Sequence, residues 1–340
     1  MKRFFNALWA FTSSWSGTII IVLVLIFFIM QAFVIPTRSM VGTLLEGDFL
    51  FVKKFSYGIP TPRIPWLEVN VLPDFRGNGH LLEGSRPQRG DVVVFIPPHL
   101  EKTYYVKRTF AVGGDEVIFD KDGLYLHPFE GDEYVKSHYS SHIIVQRLGK
   151  LFVKDPYMAE HPGISYQSVF YKTPYSREYY FADKEGKLYQ KVCVEGKGDT
   201  NSGDRGIECD LWSRVYSSEG IESFIEDKNL AYTDMKNGVI MSAMTKLEGD
   251  IFYKKIADDE FFMIGDNRNN SLDSRFWGSV PYSNIIGQPW FIYFSINQAN
   301  SQEALADEDK TKRYTIRWDR MFKSVDMLEE ALMEAMPKSK

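Results

Sequence analysis

The stretch TYYVKRTFAVGGDEVIF, residues 103–119, decides the fold. Its first ten residues are mostly β-branched or aromatic, the Gly113–Gly114 pair supplies a turn, and EVIF resumes the same pattern. Together they read as strand, turn, strand. Runs of the same kind precede it, FLFVKKF at 49–55 and DVVVFI at 91–96, and others follow from residue 250 as DIFYKKI, EFFMIG and PWFIYFSI. Gly and Pro turns separate them, so a mostly β fold is predicted.

The rest of the chain divides around these runs. Residues 120–249 are rich in Tyr, Lys and Gly turns and read as an inserted, second β-rich domain, splitting the main body into 37–119 and 250–318. At the C-terminus, Met321, Phe322, Val325, Leu328, Leu332 and Met336 recur at mostly helical spacing, which predicts an amphipathic helix over 319–340. Such a face packs on the body or lies on a membrane surface. After an N-terminal segment, 1–16, no residue from Phe4 to Thr37 is charged, and Thr18–Ile35 is apolar but for Thr18 and Gln31. Eighteen helical residues reach about 27 Å against a hydrocarbon layer of about 30 Å, so 17–36 is expected to be a single transmembrane helix ended by Pro36. A cleaved signal peptide has a shorter apolar core and an A-x-A-like site, which the FVIPTRSM tail lacks. Lys2 and Arg3 weigh only slightly toward an N-terminus on the inside, because Arg38, Lys53 and Lys54 follow the span.

Composition sets limits on function. The chain has 340 residues, 44% hydrophobic and 25% charged, which excludes wholesale disorder. A mean hydropathy of −0.26 excludes a multi-span membrane protein. Beyond Arg38, 37 Lys and Arg stand against 45 Asp and Glu, a balance of −8 that argues against nucleic acid as a partner. Cys193 and Cys209 flank a Gly/Asp/Asn/Ser-rich loop without CxxC spacing. The pair suits a disulfide if the domain is exported, two unlinked thiols being the alternative. The His138/His142 pair lacks the Glu of a zinc helix, and no phosphate-binding loop or G-x-S-x-G elbow occurs, so no metal or cofactor is expected.

What remains is polar chemistry around one serine and one lysine. Ser39, in PTRSM, follows the apolar run; alone it is an ordinary polar cap, because a serine hydroxyl is a weak nucleophile without a base. Lys107 sits among apolar strand residues. If buried, its ammonium is disfavoured, and the neutral amine can accept a proton near neutral pH. The stretch GDNRNNSLDSRFWGSVP, 265–281, is too polar for ordinary core.

With these motifs in this order, the sequence resembles the bacterial type I signal peptidases, membrane-bound Ser/Lys endopeptidases. PTRSMVGTLLEGDFLFVKK resembles their nucleophile segment, RGDVVVF the next box, YVKRTFAVGGDEV the lysine box, and GDNRNNSLDSRFWGSVP the most distinctive one. The resemblance spans 17–119 and 250 to about 320. It implies Ser39 as nucleophile and Lys107 as general base, with Thr37 and the Ser39 backbone N–H as oxyanion hole. It further implies Ser271 orienting the lysine, Asp273 and Arg275 as a buttressing pair, and Met40 at the substrate pocket. The implied substrates are exported preproteins, cut at their signal peptides beside membrane lipids. The implied location is the bacterial inner membrane, with the catalytic domain on the periplasmic side. A specialised Ser/Lys peptidase of one secretion or conjugation system, and a non-catalytic envelope binding protein on the same fold, are the alternatives. The chain departs from the family at Thr37 (commonly Ser), Arg38 (Gly), Gly42 and Gly114 (Pro) and Asn269 (Asp); the lost prolines are expected to loosen two turns.

Overall fold

The computed structural model describes residues 2–64, 69–100, 102–120, 123–161, 163–164, 166, 251–268, 271–297 and 314–335, together with isolated strands between 170 and 247. The fold is mostly β, and two antiparallel sheets carry it. The larger has seven strands in the order Met30–Val34, Asp48–Lys53, Ile285–Ser295, Val92–Phe95, Tyr105–Val112, Glu260–Ile264, Val280–Pro281. The second has six, ordered Ile144–Arg147, Lys150–Lys154, Gly123–His127, Glu116–Asp120, Ile251–Lys255, Thr245–Leu247.

Burial follows from the strand sequences. VVVF at 92–95 has no polar residue and is buried throughout, as a central strand covered on both faces must be. Successive side chains point to opposite faces, so Val93 and Phe95 enter one apolar cluster while Val92 and Val94 enter another. The first cluster fills the space between the sheets, bringing Val117, Leu124, Leu126 and Phe252 from the six-stranded sheet against Phe262 and Ile264. The second cluster, on the far side, gathers Met40, Leu44, Leu50, Val52 and Ile292. Val325 and Leu328 of the C-terminal helix Val325–Ala335 complete it, so that helix packs on the body.

The apolar N-terminal run departs from expectation. Its helix spans only Trp15–Val24, about 15 Å long, followed by one wide turn over Leu25–Ile29. No helix among the described residues is long and apolar enough to cross a membrane. The expected helix to Ile35 is therefore corrected: Met30–Val34 is a strand, paired residue by residue with Asp48–Lys53 from Met30↔Lys53 to Val34↔Phe49. The reason lies in where the backbone groups find partners. The buried Lys54 ammonium donates to the carbonyls of Ile26 (3.0 Å) and Phe27 (3.4 Å), and the Lys54 N–H to Ile29 (3.0 Å). These satisfy and electrostatically favour a helix end at that point.

The six-stranded sheet also runs across the boundaries drawn at 119/120 and 249/250, since Glu116–Asp120 pairs with Gly123–His127 and Ile251–Lys255 pairs with Thr245–Leu247. Most of 167–250 lies outside the described residues, as do the side chains of both cysteines. In the strand register, Cys193 stands opposite Cys209.

Two measurements follow. Phe95→Ala, at a fully buried position, lowers unfolding free energy by about 3–5 kcal/mol in denaturant titration, whereas Phe55→Ala, half exposed, shifts it by less than about 0.5 kcal/mol. Cys193 and Cys209 are expected to be linked in envelope-derived protein, so unreduced mass spectrometry finds neither thiol open to alkylation; two alkylated thiols would dismiss the bridge.

Candidate active site

Pro36 ends the first strand's approach, and the chain turns tightly through 37–45. Val41 N–H bonds to the Arg38 carbonyl (3.0 Å), and Thr43 and Leu44 N–H to that of Met40 (3.0 and 2.8 Å). Gly42 makes this turn possible: its φ is +106°, and a Cβ there would lie 2.1 Å from the Gly163 carbonyl oxygen. Proline, with φ fixed near −65°, has no place at such a position, and Gly114 stands likewise at φ +90°. The two glycines thus answer a geometric demand, which corrects the expectation that losing proline loosens these turns.

Ser39 and Lys107 lie 68 residues apart and meet. Lys107 Nζ donates to Ser39 Oγ at 2.6 Å and to the Val106 carbonyl at 3.0 Å. Ser39 is 8% exposed and Lys107 4%. Burial pulls the lysine pKa down to about 8, against the opposing fields of Asp273 and Asp266. Thr37 Oγ1 stands 3.4 Å from Ser39 Oγ.

The 265–281 stretch holds this pair in place. Asn267 donates its backbone N–H to the Ser39 carbonyl (3.0 Å) and its side-chain amide to the Arg38 carbonyl (3.2 Å). A Cβ on Gly265 would fall 2.2 Å from Ser271 Oγ and 2.5 Å from the Ser39 carbonyl oxygen, so glycine alone fits between them. Asp273 and Arg275 form a two-point ion pair, both contacts 2.8 Å, and Asp273 also caps the short helix Ser274–Trp277 and accepts from Gly265 N–H (3.2 Å). Ser271 Oγ is buried and without a hydrogen-bond partner. Met40, expected at the substrate pocket, is 1% exposed and packed in the second apolar cluster, its sulfur accepting from Asp266 N–H at 3.5 Å.

Several residues here escaped the sequence reading. Arg108, next to Lys107 but on the other face of the strand, grips Asp266 through two contacts of 2.8 Å. Thr43 donates to the same carboxylate at 2.6 Å. Burial pushes Asp266 up, but Arg108, Arg268 and Thr43 outweigh it and hold the carboxyl below its ordinary range. Arg268 makes a second buried pair with Asp155 (2.7 and 3.0 Å) and donates to the Gly265 carbonyl (2.8 Å). One signal for Arg108 was present: two consecutive charges in an apolar strand fall on opposite faces, and each needs a partner if buried. Asp155 carried no signal.

The family model described as signal peptidase, peptidase S26, matches residues 8–173 and 210–294. The chain is 50% identical over 334 residues to signal peptidase I of Helicobacter pylori strain 26695, covering 97% of each chain. It is 26% identical over 284 residues to signal peptidase I of Buchnera aphidicola subsp. Acyrthosiphon pisum, covering 81% of this chain and 71% of that one. A solved structure of a signal peptidase I from Enterococcus faecalis covers 60% of this chain and 97% of that one, at 15% identity and a TM-score of 0.23, a likeness too remote to bear on the fold. Matched by the family model over most of its length and by a relative over nearly all of it, the chain belongs to the signal peptidase family, peptidase S26.

Proposed function

We propose that the protein is a Ser/Lys endopeptidase that removes signal peptides from exported preproteins, with Ser39 as nucleophile and Lys107 as general base. The observation that carries this reading is the 2.6 Å contact between the buried Lys107 amine and the Ser39 hydroxyl. Neutral Lys107 takes the Ser39 proton as Oγ attacks the scissile carbonyl, and the resulting ammonium gives that proton to the leaving amine. An acyl-enzyme remains. Water, deprotonated by the same amine, adds to the ester, and collapse releases the signal peptide and restores Ser39. Negative charge developing on the substrate oxygen is met by the Ser39 N–H and the Thr37 hydroxyl, donors of a kind typically worth about 3 kcal/mol each. The unpartnered Ser271 hydroxyl is assigned to steering the amine, and the Asp273–Arg275 pair to holding the wall behind it. This chemistry calls on no metal or cofactor.

The apolar N-terminal segment is proposed to anchor the chain at the bacterial inner membrane, with the β body on the outer, periplasmic side and lipids as neighbours. The absence of charge from Phe4 to Thr37 supports this. Anchored so, enzyme and membrane-embedded substrate share one plane and a raised effective concentration.

Detergent-solubilised protein incubated with a preprotein tests the reading. Ser39→Ala abolishes cleavage with the melting temperature nearly unchanged, and cleavage at the wild-type rate would end the proposal. For wild type, kcat/KM rises with pH through about 8, because the amine must be neutral to act and is lost as pH falls through its lowered pKa. Lys107→Met is inactive at every pH, and Lys107→Arg likewise, since a guanidinium does not deprotonate in proteins. An acid limb persisting in an active Lys107→Met enzyme would assign the base elsewhere.

A further inference from the structure

The C-terminal helix Val325–Ala335 reaches into the support of the site through one side chain. Glu329, 7% exposed, sends one carboxylate oxygen to Arg108 Nη2 and the other to His161 Nδ1 at 2.8 Å. Arg108, 1% exposed, therefore faces two carboxylates, Asp266 and Glu329, and gives its third nitrogen to the Gly90 carbonyl at 2.8 Å. Asp266 lies between Gly265 and Asn267, the two residues pressed against the Ser39 carbonyl, and its charge also acts on Lys107. A continuous chain of contacts thus runs from Glu329 through Arg108 and Asp266 to Ser39, while Arg108 is the covalent neighbour of Lys107. The helix is seated for this purpose, since Val325 and Leu328 dock beside Met40 in one apolar cluster.

We infer that Glu329 is a positioning residue for the Ser39–Lys107 pair, which the C-terminal helix supplies from the far end of the chain. The inference rests on the proposed function and adds to it a requirement for this helix. A buried guanidinium deprived of one of its two carboxylates loses an acceptor for Nη2, and it either shifts toward other acceptors or draws in water. Either change moves Asp266, and with it the Asn267 contact to Ser39. Misplacement of a reacting group by about 1 Å costs on the order of a hundredfold in rate. The charge has a second effect. The groups concerned are Arg108 and His161 facing Glu329, Arg268 and Arg108 facing Asp266, and Asp266 and Asp273 acting on Lys107. Loss of the Glu329 charge leaves this cluster more positive, which disfavours the Lys107 ammonium.

The test compares full-length wild type with Glu329→Ala, Glu329→Gln, Glu330→Gln and Ser39→Ala on a preprotein, well below each melting temperature. Glu329→Ala lowers kcat about ten- to a hundredfold with KM within about twofold. Glu329→Gln keeps the shape of the side chain and an oxygen for Arg108, so it folds where the alanine variant fails. It shifts the acid limb of kcat/KM to lower pH, a readout that a purely structural defect leaves in place. Glu330→Gln, exposed on the same helix, matches wild type. Wild-type kcat and an unmoved acid limb in Glu329→Gln overturn the positioning role, even if stability drops, and leave the peptidase reading intact. If Ser39→Ala cleaves as wild type does, the peptidase reading itself fails.

Discussion

A lysine amine held out of water is the constraint on which the rest of the site depends. Lys107 loses its proton near pH 8 rather than in the usual lysine range because its surroundings are dry and the nearby negative charge is already spoken for. Asp266 and Asp273 both favour its ammonium, and each is engaged by an arginine, Arg108 and Arg275. The buried ion pairs therefore do more than hold loops together: they shield an amine that unpaired carboxylates would charge. Burying such pairs costs several kcal/mol per ion in desolvation, offset only where geometry is close and further hydrogen bonds are made. Two-point contacts to Asp155, Asp266 and Asp273 meet that condition.

The sequence disclosed the strands and the chemistry more readily than the connections between them. The strands at 49–53, 92–95, 105–112 and 260–264 were legible because β-branched and aromatic runs bounded by glycine leave little else to form. Ser39 and Lys107 were legible as residues, and the 265–281 stretch as a polar segment demanding a reason. The partners were not. Arg108 and Asp266 are 158 residues apart, Arg108 and Glu329 221, and no periodicity within one segment encodes which distant carboxylate a guanidinium will take. Asp155 lies within the stretch read as an insertion, yet its carboxylate grips Arg268, next to the Gly265–Asn267 contacts to Ser39.

The end of the N-terminal helix was misread for a related reason. MQAFV at 30–34 suits a lipid-facing helix and a strand equally well, and composition cannot choose between them. The choice was made by a neighbour distant in sequence: the Asp48–Lys53 strand offered a ladder, and Lys54 offered an ammonium to the freed carbonyls. Gly42 teaches the converse. Judged against family habit it looked like a relaxation, whereas its positive φ and its contact with Gly163 make it a fixed point.

The order of strands in the larger sheet bears on how the protein is made. Its second strand, Asp48–Lys53, pairs with Ile285–Ser295, so the strand beside the Ser39 turn waits for a partner synthesised some 240 residues later. At roughly 5–20 residues per second, an emerging chain spends tens of seconds with that sheet open. Closure of so non-local a sheet is itself slow once the partner arrives. The Ser39–Lys107 pair and the 265–281 stretch that holds it come from distant parts of the chain, so their setting stays incomplete until the late strands have been made. Chains cut short before residue 285 lack an interior strand of this sheet, whatever chemistry their N-terminal half carries.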